Sequence, residues 1–209
     1  MSAVDGPRAL RGGPLTHLLA VCAVFLWGTA FPAVKRGYAL FLLAPDDMAG
    51  RMAFAGERFV LAGALTLVCT AVLTRRPPTI PRGRWGGVAL LALLQTTLQY
   101  LFFYAGMAHT TGTKGAIIDS SAAFIGVLLA HFLCAGERMT ARRAAGCAVG
   151  FSGVVLVNLG AGGMGGFSWR GDGLMLLAAA SFAFGGVISG RAARGLNPAA
   201  VTGWQLLGG

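Results

Sequence analysis

The residues of this chain that could do chemistry are few, because only seven acids stand against 17 lysines and arginines in 209 residues. Asp119 is the most informative of them, since it lies inside an apolar run from about Gly115 to Cys134. If a helix begins near Thr113, Asp119 sits about 9 Å along it, beyond the first turn, where a carboxylate is costly unless it is paired or protonated. Helical spacing puts Ala122, Ala123, Gly126 and Ala130 on its face, so the acid looks along a groove of small side chains. Such a carboxylate can take a proton or a cationic group of a substrate. The alternative is a helix-start acid favoured by the macrodipole and partly wet.

Glu57 and Arg58 lie about two turns into a second apolar run, from about Met52 to Leu73. Buried charges must first satisfy one another, so an ion pair is the first expectation, with Arg58 as the partner of Asp119. Gln95 and Gln99 share a face of a run from about Gly86 to Gly106, with Tyr100 and Tyr104 on an adjacent face. They serve either as glue between helices or as the few convergent polar groups that orient a ligand in an apolar pocket. Trp27 and Phe31 flank a proline, Pro32, that removes a backbone donor, and offer packing or pocket lining.

His131 lies about 120° around the helix from Asp119, which argues against a relay and for a donor in helix packing. Glu137 reads as a solvated charge. The candidate set is therefore Trp27, Gln95, Gln99, Tyr100 and Asp119 for a substrate, with Asp119, Arg58 and Glu57 for coupling or ion pairing. No catalytic residue is assigned, because the sequence has no HExxH, GxSxG or GxxxxGK[ST] signature. The cysteines Cys22, Cys69, Cys134 and Cys147 show no ligand spacing and read as small apolar residues, so neither metal nor cofactor is expected.

The elements that must position these side chains are membrane spans. Of the residues 56% are hydrophobic and 11% charged, whereas a soluble domain carries about 25% charged residues. A run such as Gly115 to Cys134 covers about 30 Å as a helix, the thickness of a bilayer's hydrocarbon core. Further runs cover about Leu15 to Val34, Met52 to Leu73, Gly86 to Gly106, a fifth after the charged hinge Gly136 to Arg143, and Asp172 to Gly190. A seventh begins at Asn197-Pro198, a cap followed by proline at the first helical position. It reaches Gly209 after about 18 Å, too short to cross, so the sequence reads as cut off within its seventh helix.

The formal charge of +10 sits in clusters that flank these runs and forms no aromatic-interleaved basic stripe, which argues against nucleic acid. An N-terminus in the cytoplasm puts Arg8, Arg11, Arg191, Arg194, the group from Arg75 to Arg84 and the group from Arg138 to Arg143 on that side. The other side keeps Lys35, Arg36, Arg51, Lys114 and Arg170, the asymmetry of the positive-inside rule. Gly146, Gly150 and Gly153 form a small-residue edge that lets the fifth span approach a neighbour. Aligning Ala23 with Ala178, Trp27 with Phe182 and Arg36 with Arg191 lays the first span on the sixth. A repeat of five helices would enter the membrane from the opposite side, giving an inverted repeat.

WGTAFPAVK in the first span, ERF in the second, YAGMAHTTGTKGAI, GERMTARRAAGCAVGFSGVVLV and GDGLMLLAAASFAFGGVISGRAARGLNPAAVTGWQLLGG together resemble EamA-type members of the drug/metabolite transporter superfamily, from Leu15 onward. The resemblance implies an all-α polytopic transmembrane bundle of two five-helix repeats. This chain would supply a cytoplasmic tail (1–14), the first repeat (15–160) and the start of an inverted second one (161–209). It implies a secondary transporter in the inner membrane, an exporter of small organic solutes such as amino acids or other metabolites, working by alternating access at a midplane cavity. Where the family has a proline ahead of the Gly-Glu-Arg hinge, this chain has Ser120-Ser121-Ala122-Ala123-Phe124-Ile125. The partners expected are a small-molecule substrate and the lipid bilayer, with no nucleic acid, and a homodimer stays open. The alternatives are an incomplete transporter fragment without transport of its own and an intramembrane enzyme, which would need a reactive dyad or metal pair.

Overall fold

The computed structural model describes residues 13–44, 47–134, 139–160 and 166–209, and these are helical, with no strand among them. In chain order the helices are α1 (Pro14–Leu40), α2 (Met48–Thr74), α3 (Arg82–Met107), α4 (Gly112–Asp119), α5 (Ala122–Leu133), α6 (Ala141–Gly160), α7 (Trp169–Ala192) and α8 (Pro198–Gly208). The chain divides into two units, Met1–Asp47 and Met48–Gly209. In the first, α1 starts at a proline, where the missing N–H costs nothing. It runs past the expected end near Val34 and closes at Leu40, with Leu42 in the left-handed region at φ 53°. Leu18, Val21, Val24 and Phe25 of α1 are exposed.

Within the second unit, α2, α3, α7 and the stretch Lys114–Leu133 are each long and apolar enough to cross a membrane. Their burial is inverted relative to a soluble bundle. On α2 the buried residues are Ala55, Gly63, Leu67 and Thr70, while Val60, Leu61, Leu65, Val68, Val72 and Leu73 are exposed. Large apolar side chains on the outside cost nothing against lipid, and small ones on the inside let backbones meet, which is how helices attract where no hydrophobic effect separates them from solvent. The α2–α8 crossing shows this: a Cβ on Gly63 would lie 2.8 Å from the Gly203 carbonyl oxygen, and a Cβ on Gly203 would lie 2.6 Å from Leu67 Cδ2.

α7 packs against α3, α4 and α5, burying Met175, Ala178, Ala179, Ala183 and Gly185. At its far end Ile80, Val88, Leu91, Ala200 and Val201 form a buried cluster with Ala192, Leu196 and Trp204 around it. Trp204 Nε1 donates to the Pro78 carbonyl at 2.7 Å, and its ring meets Trp85 edge-on at 5.2 Å. Helix ends leave carbonyls without partners. Here arginines supply them: Arg84 donates to the Arg194 carbonyl and Arg191 to that of Leu133. At the start of α8, Asn197 accepts from Ala199 N at 2.9 Å ahead of Pro198, the cap and proline expected there.

Several expectations are corrected. The run from Gly115 to Cys134 keeps its span length, over Lys114–Leu133, but its helical hydrogen bonding is interrupted at Ser120-Ser121. Ser121 N bonds the Ile118 carbonyl at 3.0 Å and Ser120 Oγ donates to the Ile117 carbonyl at 2.6 Å, so a serine side chain competes with the helical ladder. The face of Asp119 therefore cannot be extended through α5 by straight-helix spacing. Within α3, Leu93–Leu98 is a π-helical stretch that periodicity gave no sign of. His131 Nδ1 accepts the Met139 N–H at 3.0 Å, across the connection from α5 to α6. Of the glycine edge on α6, Gly150 packs against the ring of Phe124, while Gly146 and Gly153 face open space. Glu137 and Arg138 of the hinge lie outside the described residues.

Candidate functional site

The π-helical stretch of α3 carries Gln95 and is followed at once by Gln99 and Tyr100. Wider turns of this kind widen the helix and turn its carbonyls toward outside donors. Ser181 Oγ of α7 donates to the Leu94 carbonyl at 2.7 Å. Gln95 itself is held at both ends of its amide, donating to the Phe182 carbonyl at 3.4 Å and accepting from Gln205 Nε2 at 3.3 Å. Gly185 makes this possible, because a Cβ there would collide with the Gln95 side chain. Gln95 thus joins α3, α7 and α8, and Gln99, one turn on, is buried.

Tyr100 packs among aromatic rings of α2 and α3. Its ring lies 4.5 Å from Phe59 of α2 and 6.0 Å from Tyr104 between centroids. Phe59 directly follows Arg58 on α2, so this contact sets Tyr100 beside the turn of α2 that carries Arg58. The Arg58 guanidinium rests over the Phe54 ring at 5.6 Å, a cation–π contact. No ion pair joins Arg58 to Asp119 among the described residues. Asp119, half-buried, is the last residue of α4, and the hydroxyl of Ser121 just beyond it is fully buried with no hydrogen-bond partner. Glu57 is on the exposed side of α2. The side chain of Trp27 lies outside the described residues. Tyr100 therefore packs beside the turn of α2 that carries Arg58, while Gln95 faces the seam of α7 and α8.

Beside Asp119's helix, α5 and α7, with Arg143 of α6, line an open groove of about 530 Å³. Ala122, Ala123, Gly126 and Ala130 form one wall and Phe182 and Gly186 part of the other. These four small residues on α5 are the ones whose size suggested a groove, although the break at Ser120-Ser121 sets them on a different helix from the acid.

Sequence reasoning missed the most enclosed polar centre. Lys114 Nζ meets Asp172 Oδ2 at 2.6 Å. It also donates to the Gly166 carbonyl at 3.2 Å. The carboxylate accepts in addition from Thr110 Oγ1 at 3.0 Å and from Ser168 N at 2.8 Å. A buried ion pair holds only when its remaining lone pairs and protons find partners, and this one supplies them. Glycine makes the approach possible: a Cβ on Gly171 would lie 2.5 Å from the His109 carbonyl oxygen. A signal was present in the sequence, for Lys114 and Asp172 stand at the beginnings of the fourth and sixth runs, which alternate to the same side.

Long apolar helices with large residues outward, small residues inward and a handful of polar side chains at the crossings define a polytopic membrane protein. The sequence pattern of the EamA-like transporter family matches residues 14–159, and the chain belongs to that family. It is 33% identical over 207 residues to a WAT1-related chloroplastic protein of Arabidopsis thaliana, an alignment covering 95% of this chain and 47% of the relative. It is 29% identical over 206 residues to an uncharacterized transporter of Synechocystis, covering 91% of this chain and 59% of the relative. The chain spans about half the length of the curated relatives it matches. No solved structure matches it.

Proposed function

We propose that the gene product carrying this chain is a secondary transporter of small organic solutes, such as amino acids or other metabolites, and works as an exporter by alternating access at a cavity near the bilayer midplane. The observations that carry this reading are the match of the EamA-like transporter family to residues 14–159 and a half-buried Asp119 within an apolar span, because ionisable groups within spans mark solute or proton paths. Gln99, Tyr100 and Asp119 contact the solute, with Gln95 as a further contact. Asp119 carries the coupling proton, and Arg58 and Glu57 set its electrostatic surroundings. The chain is not an enzyme; membership of a transporter family and the name of the Synechocystis relative support this. The N-terminus lies in the cytoplasm and the membrane is the inner one, in line with the arginine-rich ends of α2, α3 and α7.

A second reading rests on the span of about half its relatives: the cavity is completed by an inverted second repeat, and residues 1–209 have no transport by themselves. One experiment tests both. The full gene product and residues 1–209 are reconstituted in separate vesicles, and flux of labelled amino acids and other small metabolites is followed under an imposed pH gradient. Flux by the full product supports transport, and its absence from the 209-residue chain supports the second reading. Folded full product without flux of any solute in the panel above empty vesicles overturns the proposal.

A further inference from the structure

The turn after α2 and the first residues of α8 enclose a cavity of about 470 Å³ at the arginine-rich end of the bundle. Thr70, Thr74, Arg76, Thr79, Asn197 and Ala200 line it. Its donors can be followed one at a time. Thr70 Oγ1 donates to the Thr66 carbonyl at 2.7 Å, and Thr74 Oγ1 has the Thr70 carbonyl at 2.7 Å and the Arg76 carbonyl at 3.2 Å as acceptors, so both hydroxyl protons are taken up by backbone. Asn197 Oδ1 accepts from Ala199 N, which leaves its amide NH₂ as the end that can serve a ligand. The donors on offer are then the Arg76 guanidinium, the Thr79 hydroxyl and the Asn197 amide.

The wall is stiff. Thr79 N bonds the Pro77 carbonyl at 2.8 Å, the Pro78 carbonyl is held by Trp204 at 2.7 Å, and two consecutive prolines fix the intervening backbone. The field is of one sign. The segments that build this end, 70–84 and 191–200, contain Arg75, Arg76, Arg82, Arg84, Arg191 and Arg194 and no aspartate or glutamate. Donors without an opposing acid, in a field of arginines, suit an anion with several acceptor oxygens, and guanidinium binds phosphate through paired hydrogen bonds. The volume lies within the range of small-molecule sites, so the anion has room for a small polar stem.

We propose that this cavity binds a glycerophosphate-type group, with Arg76 on the phosphate oxygens and Thr79 and Asn197 completing the shell. Its place at the end of the spans lets the group come from a lipid headgroup or from a free phosphomonoester. The proposal does not depend on the transport reading.

The test is calorimetric titration of the purified full chain, in neutral detergent with glycerol 3-phosphate and in phosphatidylcholine nanodiscs with and without phosphatidylglycerol. Saturable binding in the first arm identifies a soluble ligand, and binding confined to the phosphatidylglycerol nanodiscs identifies a headgroup. In either arm Arg76→Gln weakens binding about tenfold, the loss of a charge-assisted hydrogen bond, and Thr79→Val weakens it about threefold. Arg75→Gln, next in sequence but outside the lining, changes affinity less than about twofold. Arg75 and Arg76 are both exposed, so these substitutions leave the core intact. Equal losses for Arg75→Gln and Arg76→Gln would reduce the effect to general surface charge and overturn the site, as would the absence of saturable binding in both arms.

Discussion

Lys114 Nζ lies 2.6 Å from Asp172 Oδ2, and their side chains are only 3% and 0% exposed. This pair ties the first turn of α4 to the first turns of α7, through a carboxylate that Thr110 and Ser168 also hold. At the opposite end of α7 charge is handled differently, with Arg84 and Arg191 bonded to backbone carbonyls. The two ends of the bundle therefore differ in what fixes them: an internally neutralised ion pair at one, arginines on backbone carbonyls at the other.

Removing one member of a buried pair leaves the other uncompensated, at a cost of about 3–5 kcal/mol. Lys114→Met or Asp172→Asn alone should lower stability by that order in thermal unfolding in detergent. The double replacement Lys114→Met with Asp172→Leu should recover most of the loss. A double mutant as unstable as the sum of the singles would contradict the pairing.

Helix contact at Gly63 leaves no room for a side chain, since a Cβ would meet Leu207 Cγ at 2.9 Å as well as the Gly203 carbonyl. Gly63→Val should destabilise by about 1–3 kcal/mol through overpacking. Gly56, on the same helix, is the control, because a Cβ there would have nothing within 4 Å. Gly56→Ala should be neutral or gain up to about 1 kcal/mol from helix propensity, measured in the same unfolding assay.

Gln95→Leu removes the bonds to the Phe182 carbonyl and to Gln205. Interhelical hydrogen bonds in membranes average about 0.6 kcal/mol, so the stability loss should be near 1 kcal/mol. In the vesicle assay a rise in KM well beyond what that loss explains would place Gln95 in contact with solute; unchanged KM would leave it as helix glue.

Asp119→Asn should reduce accumulation driven by a pH gradient by at least about tenfold, equivalent to about 1.4 kcal/mol, while downhill exchange of solute continues. Loss of both fluxes together, in folded protein, would make Asp119 a solute contact and not the proton carrier.

No ion pair joins Arg58 to Asp119 among the described residues. A double-mutant cycle on Arg58→Gln and Asp119→Asn should therefore give a coupling below about 0.5 kcal/mol in unfolding. A larger coupling would indicate a second conformation in which the two side chains meet.

How much of this was legible in the sequence varies from residue to residue. Asn197-Pro198 announced the start of α8, and the apolar runs announced the spans, because a cap and a hydropathy run are local properties. Ser120-Ser121 and the π-helical stretch at Leu93–Leu98 were not legible, since each is a contest between a helical ladder and side chains or neighbouring helices that periodicity does not weigh. The small residues Ala122, Ala123, Gly126 and Ala130 were read as a groove, and a groove is there, yet its far wall belongs to α7, which no spacing within α5 could name.

By itself the sequence determined that the chain is a polytopic helical membrane protein, because 56% hydrophobic residues in runs of span length leave a chain with 11% charged residues no soluble way to fold. It also marked polar residues within the spans, such as Gln95, that need partners there, but not the Lys114–Asp172 pair. Only the tertiary structure decided which of them satisfy one another. Lys114 and Asp172 are 58 residues apart, and Gln95 and Gln205 are 110 apart. A helical pattern specifies the face on which a side chain stands but not the helix that face will meet, and the meeting is set by close approaches at Gly63, Gly171 and Gly185 that exist only once the helices have packed.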